Sequence, residues 1–286
     1  MASLSDHLEV SYQYLLPKRS LCRLMHAATR LRVRWWKNAL IRWFVRHYGV
    51  DMSLAQKTDP RAYEHFNAFF TRALKAGARP LAQDLDAILC PVDGTLSEAG
   101  PVKDGRLIQA KDRHYGLDML LGGSRERAAV FQNGSYATFY LSPRDYHRIH
   151  MPLRGQLREM IYVPGRLFSV NAAASRTVRE LFGRNERVVS VFDTPAGPMA
   201  LVLVGALFVA SIETVWAGTI TPPRSRRIRR WDYTAEHSPP VLERGEEMGR
   251  FNMGSTVIVL FGPGRARWDI ALGTKVAMGQ QIGTYY

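Results

Sequence analysis

Apolar and basic residues alternate at helical spacing over the first fifty positions of the chain. The apolar positions are Leu21, Leu24, Met25, Ala28 and Leu31, followed after a bend by Trp36, Ala39, Leu40, Trp43 and Phe44. Basic residues lie between them, and we expect Lys37, Arg42 and Arg46 on the face opposite the second stripe. The pattern predicts two amphipathic helices between Pro17 and Gly49.

A further helix is predicted from Asp59, which suits an N-cap, and Pro60, which suits a first turn. Gly77 and Pro80 are expected to end this helix. Its buried stripe would consist of Tyr63, Phe66, Phe69, Phe70 and Leu74.

From residue 88 the pattern changes to short apolar runs separated by turn residues, which is typical of strands. We predict strands at 88–92, 136–141, 156–163 and 187–192. The uncharged segment 195–212 is long enough to suggest a membrane span, but prolines, glycines and many valines occur in it. It therefore predicts two buried strands, 199–204 and 206–212, around a tight turn at Gly205.

Two segments near the end of the chain share one pattern. Residues 245–251 and 279–285 both run glycine, two polar residues, an apolar residue, glycine, any residue and an aromatic residue. We interpret them as equivalent turn-to-strand units of a β-sandwich or barrel-like core. Together these patterns predict an α+β fold, with N-terminal amphipathic helices in residues 1–58 and a β-rich domain in residues 59–286.

Basic residues exceed acidic ones by enough to favour an anionic partner. The 286 residues carry a formal net charge of +14, and the first fifty hold nine Lys or Arg against two acidic residues. Trp35, Trp36 and Trp43 lie among these arginines, which favours helices on an anionic membrane surface over helices with their arginines in water. A second run, 224–230, holds five arginines and fits either an exposed strand edge or contact with lipid phosphates.

The cysteine positions and the N-terminal sequence indicate the cellular compartment in which the protein works. Cys22 and Cys90 are far apart in sequence and have no metal-binding spacing. Residues 1–6 lack the basic and apolar regions of a signal peptide. We therefore expect a peripheral protein at the cytoplasmic face of the cell membrane, in a reducing compartment.

The stretch 251–261 holds the best candidate for chemistry. Gly254 can take backbone conformations that other residues resist, and Ser255 opens a β-branched apolar run typical of a buried strand. Ser255 is therefore expected at the mouth of a strand, where its hydroxyl could turn back onto the carbonyl group of Gly254.

A serine hydroxyl needs a base within reach, and the base needs a group that fixes its tautomer. The sequence offers Asp93, which precedes a glycine, and the nearby pair His147 and His150. Each has an ordinary explanation when taken alone, since Asp-Gly turns and hydrogen-bonded core histidines are common. The histidine pair has no adjacent glutamate and no cysteine cluster, so no metal site is expected.

Four motifs in this order resemble the phosphatidylserine decarboxylase proenzymes. Met-Gly-Ser-Thr at 253–256 is similar to the family's Leu-Gly-Ser-Thr self-cleavage motif. The others are Pro-Val-Asp-Gly at 91–94, Leu-Ser-Pro-Arg-Asp-Tyr-His-Arg-Ile-His-Met-Pro at 141–152 and Leu-Phe-Ser-Val-Asn at 167–171. The resemblance spans residues 66–261, and its departures are small. Methionine for leucine conserves volume, and Asp112 stands where we expect glycine in a loop.

The resemblance implies a charge-relay triad of Asp93, His150 and Ser255 that cleaves the chain after Gly254. His150, oriented by Asp93, would take the proton of Ser255, whose oxygen would attack the Gly254 carbonyl carbon. Elimination from the resulting ester would release residues 1–254 and leave a dehydroalanine, which water would hydrolyse to ammonia and a pyruvoyl group derived from Ser255. The pyruvoyl group would be the cofactor, with no metal and no pyridoxal phosphate. This group would form a Schiff base with phosphatidylserine and release CO₂ and phosphatidylethanolamine.

The resemblance also implies that the two cleavage products stay together. A beta chain of residues 1–254 and an alpha chain of residues 255–286 would remain together as a heterodimer, or as a dimer of these. His147 is a candidate acid for the reprotonation that follows decarboxylation, because histidine titrates near neutral pH, or a candidate for substrate binding. The expected partners are phosphatidylserine and an anionic membrane surface, and not a nucleic acid.

Three other functions remain open from the residues themselves. A serine hydrolase could use Asp93, His150 and Ser255, but it would normally show Gly-x-Ser-x-Gly and would keep an intact chain. A basic module without chemistry could bind membranes or nucleic acid, although no nucleic-acid recognition motif is present. A pyruvoyl decarboxylase could act on a soluble amino acid, against which the amphipathic N-terminus argues.

Overall fold

The computed structural model describes residues 3–110, 113–207, 211–221, 227–252 and 255–286. The helices are α1 (Leu4–Leu15), α2 (Lys18–Ala28), α3 (Arg34–Tyr48), α4 (Phe66–Phe70), α5 (Leu117–Leu120), α6 (Arg125–Phe131), α7 (Ala172–Thr177) and α8 (Leu181–Arg184), with a 3₁₀ turn at Pro60–Ala62.

The strands follow from residue 87 onward. They are β1 (Ala87–Leu89), β2 (Gly94–Pro101), β3 (Arg106–Ala110), β4 (Arg113–Gly116), β5 (Ser135–Leu141), β6 (Arg148–His150), β7 (Gly155–Val163), β8 (Arg187–Thr194), β9 (Gly197–Val204), β10 (Ile212–Thr214), β11 (Gly218–Thr219), β12 (Arg229–Asp232), β13 (Val241–Leu242), β14 (Glu247–Phe251), β15 (Ser255–Phe261), β16 (Ala266–Trp268), β17 (Lys275–Val276) and β18 (Gln281–Tyr285). Helices followed by antiparallel sheets confirm the predicted α+β class.

The two predicted amphipathic helices are confirmed as α2 and α3. Pro17 is the N-cap of α2, and Gly49 ends α3 with a left-handed φ of 64°, which glycine adopts without strain. Lys37, however, does not face away from the apolar stripe. It is buried, and its ammonium group donates to the carbonyl oxygen of Arg61 at 3.0 Å because α3 packs against the 3₁₀ turn.

Helix α1 was not predicted, although a local signal for it is present. Ser3 and Asp6 form a capping box in which each side chain accepts a hydrogen bond from the other residue's amide. The inner face of α1 docks on the β-rich part of the chain. Asp6 accepts from Arg176 at 2.7 Å, Gln13 accepts from the amide of Ser169 at 2.9 Å, and Val10 is buried in the main core.

The helix predicted from Asp59 is wrong in length. The chain forms the 3₁₀ turn, capped by Asp59, then an extended stretch, and then the short helix α4, capped by the ring of His65. Tertiary contacts break the predicted helix into these shorter pieces. The hydroxyl of Tyr63 donates to the carbonyl of Lys57, and the phenylalanines of α4 pack around Phe44 of α3. The predicted domain boundary after residue 58 therefore lies within a shared aromatic cluster, and it stays a prediction.

Four predicted strands match β5, β7, β8 and β9, while the strand predicted at 88–92 is shorter and ends with β1. The largest sheet of the described residues has the order β12-β7-β8-β9-β15-β5-β2-β17, with β13 beside β7. Strand β15 lies at its centre, antiparallel to β5 on one side and to β9 on the other. Every described apolar side chain from Val257 to Phe261 is fully buried, so this strand is a core element.

Among the described residues, the two segments predicted as strands around Gly205 show no pairing with each other. After β9 the chain leaves the large sheet, and β10 joins a separate sheet of order β11-β10-β14-β6. Gly205 accounts for the departure, since its amide donates to Glu186 and its carbonyl accepts from Asn185. Residues 208–210 of the second predicted strand lie outside the described residues.

The repeated pattern at 245–251 and 279–285 is confirmed as two turn-to-strand units. Gly245 and Gly279 have φ values of 82° and 85°, and they precede β14 and β18. A side chain at either glycine would press against Leu81, so one leucine packs on both turns. Within the described ranges, no helix combines the length and the apolar character needed to cross a bilayer.

We predict that Gly94→Ala destabilises the fold. Gly94 opens β2 where the backbone of β5 passes closest, and a Cβ there would overlap the carbonyl oxygen of Tyr140. Overpacking of this kind costs about 1–3 kcal/mol, measurable as a lower urea midpoint. The control is Gly262→Ala, whose Cβ would be 3.4 Å from the nearest atom and should have a smaller effect. Equal midpoints for the two variants would contradict the prediction.

Candidate active site

Ser255 begins the central strand, as predicted. Its backbone pairs in register with Leu141 of β5, and the next residue, Thr256, pairs with both Tyr140 and Val204. Of Ser255 only the backbone is described, and Met253 and Gly254 lie outside the described residues. Position 255 is thus held by the sheet at the edge of the segment 141–150, which carries both candidate histidines.

The residue just before the predicted cleavage segment is also fixed. Asn252 is fully buried, accepts from Asn67 at 2.7 Å and donates to Glu213 at 2.8 Å. Its amide donates to the carbonyl of Ser211 at 2.8 Å. The bond expected to break therefore lies between two anchored positions, residue 252 on one side and residue 255 on the other.

His150 has the tautomer of a general base. Its Nδ1 is 2.8 Å from the carbonyl oxygen of Gly245, which can only accept, so Nδ1 carries the proton. Burial lowers the pKa of His150 below the ordinary value, which favours the neutral ring. Nε2 is then the acceptor, and the hydroxyl of Tyr146 donates to it at 3.1 Å.

Asp93 is held by an arginine that the sequence analysis missed. Arg79 donates to Asp93 through Nε at 2.8 Å and through Nη2, and the amide of Met278 donates to the same carboxylate at 2.8 Å. Among the described residues, no hydrogen bond joins Asp93 to His150. Burial lowers the pKa of His150, the hydrogen bond to Gly245 and the charge of Glu247 raise it, and the charge of Asp93 raises it by less than either.

A backbone contact nevertheless brings the segments that carry Asp93 and His150 together, since the amide of His150 donates to the carbonyl of Pro91 at 2.9 Å. The contact that fixes the tautomer comes from Gly245, a backbone group that no side-chain pattern would reveal. The orienting role predicted for Asp93 stays a prediction.

His147 lies in a fully buried, weakly polar environment. Its ring stacks on Phe70 with 4.1 Å between centroids, and Nε2 lies 3.4 Å from the carbonyl of Pro143. Nδ1 is buried and has no hydrogen-bond partner among the described residues. Burial, with a contribution from the charge of Arg72, lowers the pKa of His147 to about 3. The ring is therefore neutral near pH 7, and the expectation that it titrates there does not apply to this environment.

Arg72 supports the turn that precedes both histidines. Its Nη2 donates to the carbonyl of Arg144 at 3.0 Å, and its guanidinium group is buried. Within the same turn, Asp145 accepts from the amide of Ser142 at 2.7 Å. The sequence predicts Phe69 and Phe70 in the buried stripe of a helix, and it gives no sign of this contact between Arg72 and the motif at 141–152.

An apolar cavity of about 410 Å³ is lined by two residues that contact His147, although His147 itself does not line it. It lies among α2, α3 and α4, and its walls include Phe70 and Pro143, the residues that contact the ring of His147. In the ranges that the structure describes, no three His, Cys, Asp or Glu residues are placed to hold a metal ion. The site thus combines a serine position, two neutral histidines and an apolar chamber.

Comparison with known proteins gives consistent matches over nearly the whole chain. A family model described as phosphatidylserine decarboxylase matches residues 66–284, and one described as PSD matches residues 8–49. A phosphatidylserine decarboxylase proenzyme of Methylococcus capsulatus is 56% identical over 286 residues, covering 99% of each chain. Proenzymes of the same description from Pseudomonas aeruginosa and Pseudomonas fluorescens are 58% and 57% identical, covering 97% and 98% of each chain.

We predict that His147 makes the fold sensitive to acid. Its pKa is about 3 in the folded chain and about 6.5 when exposed, so the unfolded chain binds a proton first as the pH falls. Stability is fully present above pH 6.5 and is lost on acidification toward pH 3, by up to about 1.4 kcal/mol per pH unit.

The measurement is urea unfolding across this pH range for the native chain and for His147→Phe, which keeps an aromatic ring against Phe70. We expect the variant to lose less stability on acidification. His237→Phe, at an exposed position, is the control and should follow the native chain. If His147→Phe also followed the native chain, burial of a neutral His147 would not be the cause.

Proposed function

Because the chain belongs to the phosphatidylserine decarboxylase family, we propose that it converts phosphatidylserine to phosphatidylethanolamine and CO₂. The observation that carries this proposal is the family match over residues 66–284, which includes Asp93, His150 and Ser255. The placement of Ser255 at the start of a central strand, beside the segment with both histidines, supports it.

The proposed maturation is self-cleavage between Gly254 and Ser255, giving chains of 1–254 and 255–286. Anchoring of Asn252 and of residue 255 supports it, because two fixed ends limit how the bond between them can move away from an attacking hydroxyl. The smaller chain would remain bound as a heterodimer. Its strands β15, β17 and β18 pair with β5, β9, β2 and β1 of the larger chain.

His150 is the proposed base for the Ser255 hydroxyl. Nε2 is the available nitrogen, since Nδ1–H is bound to the carbonyl of Gly245. The hydroxyl of Tyr146 now occupies Nε2, and it must move aside or pass on the proton when Ser255 approaches. Asp93 would stabilise the positive charge that develops on His150, acting through space from its ion pair with Arg79.

The cofactor proposed for decarboxylation is a pyruvoyl group derived from Ser255. When formed, it supplies a ketone for the substrate amine and an electron sink for the departing carboxyl group. The start of β15 fits such a group, because Thr256, the residue after it, stays paired with β5 and β9 after the preceding bond is cut and the Ser255 nitrogen is lost. His147 remains the proposed proton donor or substrate contact. As a neutral ring it would donate from Nε2, which lies near the carbonyl of Pro143.

The apolar cavity next to Phe70 and Pro143 supports a lipid over a soluble amino acid as substrate. Its apolar walls suit aliphatic chains, whereas the polar groups of a soluble amino acid would find few hydrogen-bond partners there. Exposed apolar side chains on α1 and α3 support a membrane-associated segment in residues 1–58. They are Leu4, Leu8, Tyr12, Leu15, Trp35 and Trp43. We propose peripheral attachment to an anionic surface at the cytoplasmic face, with phosphatidylserine drawn from that surface.

The described part of the arginine run 224–230 gives less support to lipid contact. Arg230 pairs with Glu159 at 2.8 Å and with Asp232, and Arg229 lies over the ring of Trp231 at 4.6 Å. These contacts suit an exposed edge strand. Arg224 and Arg226 lie outside the described residues.

We predict that the purified chain separates into two pieces under denaturing conditions. Mass spectrometry should find fragments 1–254 and 255–286, the smaller without a free amine and reactive toward a carbonyl reagent. Ser255→Ala should stay in one piece and should not release CO₂ from phosphatidylserine. Ser211→Ala is the control, at a buried serine just before β10 whose backbone contact with Asn252 alanine would keep, and this variant should still be cleaved. An intact native chain would favour a serine hydrolase and would contradict the proposal.

We further predict that cleavage of freshly synthesised precursor is insensitive to pH until the pH falls below 6.5, because burial lowers the pKa of His150 from that value. Asp93→Asn should slow cleavage and move the acid limb slightly to lower pH, since one of the two negative charges that raise the pKa of His150 is lost and the charge of Glu247 remains. The time course of the fragments at several pH values measures both effects. Asp86→Asn, at an exposed position, is the control; an Asp93→Asn profile identical to the control profile would remove Asp93 from the mechanism.

A further inference from the structure

A second cavity, of about 790 Å³, lies away from the candidate active site at the corner between α1 and α2. One wall is formed by Tyr14, Leu16, Pro17, Lys18 and Ser20, and the other by residues 164–167 and Arg184. The proposed cleavage and decarboxylation use none of these residues. The cavity therefore needs a separate explanation.

Close backbone packing builds the far wall. A Cβ at Gly165 would overlap backbone atoms of Arg184 and Asn185, so only glycine lets these segments meet. The amide of Arg166 donates to the carbonyl of Arg184 at 2.8 Å, and the amide of Glu186 donates to the carbonyl of Arg166 at 2.8 Å. These backbone hydrogen bonds fix Arg166 and Arg184 as neighbours, although their positive charges repel each other.

A third cation completes the group. The ammonium of Lys18 lies 3.4 Å from the ring centroid of Phe168, on the near wall of the cavity. Burial and then the charges of Arg166 and Arg184 lower the pKa of Lys18, so the three cations repel one another. In the described ranges, none of the three forms an ion pair with a carboxylate, and nearby Glu186 accepts from the hydroxyl of Tyr162.

The start of α2 adds to this positive potential. Pro17 is its N-cap and offers no side-chain acceptor to the first amides of this 11-residue helix. Lys18 and Ser20, in the first turn, line the cavity. Helix N-termini stabilise anions through their free amides and the helix dipole. The three cations and the start of α2 therefore both favour a negatively charged ligand.

We propose that this cavity binds the phosphate group of an anionic phospholipid in the membrane surface. Leu4, Leu8 and Tyr12 are exposed at four-residue spacing along α1, and Leu15, at its end beside the cavity, is 89% exposed. This stripe would lie among acyl chains, which places the cavity at the level of the headgroups. The choice of a lipid over a soluble phosphate as the ligand rests on the proposed membrane function. The arrangement of the three cations is independent of that proposal.

The test compares two triple variants of the full chain that remove the same charge from the same region. The cavity variant is Lys18→Gln, Arg166→Gln and Arg184→Gln. The control variant is Arg23→Gln, Arg34→Gln and Arg46→Gln, three exposed positions on α2 and α3 outside the cavity. Both are measured for binding to phosphatidylcholine vesicles with and without phosphatidylglycerol, and for thermal stabilisation by inorganic phosphate.

We expect the cavity variant to bind the phosphatidylglycerol vesicles more weakly than the control by roughly tenfold or more. Inorganic phosphate should raise the melting temperature of the control variant and not that of the cavity variant. Equal loss of vesicle binding by the two variants would overturn the proposal in favour of diffuse attraction. Stabilisation by inorganic phosphate without any difference in vesicle binding would also overturn it, by assigning the cavity to a soluble phosphate.

A third measurement separates this proposal from the proposed function. Decarboxylation of phosphatidylserine dispersed in an uncharged detergent needs no membrane surface, so both variants should retain it. Failure of decarboxylation in the native chain would concern the proposed function and would leave the vesicle comparison valid.

Discussion

The pairing of β15 with β5 and β9 is the constraint on which the rest of the molecule depends. Hydrogen bonds on both edges hold this strand, and its apolar side chains fill the main core. Position 255 cannot shift without disturbing the large sheet. A reaction at the first residue of such a strand would alter the chain at the end of the sheet, and residues 256–261 would keep their pairing with β5 and β9.

Desolvation sets the protonation of both histidines, and backbone groups complete their environment. His150 is kept neutral by burial, with its proton directed to the carbonyl of Gly245. His147 is kept neutral more strongly, between the ring of Phe70 and the charge of Arg72. Neither ring needs a direct carboxylate contact for its tautomer. Asp93 therefore acts in this structure as an ion-pair partner of Arg79 and as a source of negative potential.

The N-terminal helices belong to the site as well as to the surface. Helix α3 packs on α4, and α4 supplies Phe70 to the ring of His147. The turn after α2 reaches the same region through Arg30, which lies 3.8 Å from the carboxylate of Glu213, the acceptor for Asn252. The helices that would contact a membrane thus also hold residues that touch those proposed for catalysis.

Local chemistry along the chain was sufficient to predict the α+β class, helices α2 and α3, most strands of the large sheet, the paired turns at Gly245 and Gly279, and Ser255 at the start of a strand. Hydrophobic periodicity, caps and glycines act over a few residues, so these features are readable from the sequence. The short α4, the burial of Lys37, the partnership of Asp93 with Arg79 and the carbonyl that orients His150 were decided by tertiary structure. Each depends on groups far apart in sequence, such as Gly245 and His150, which only the folded backbone brings within hydrogen-bond distance.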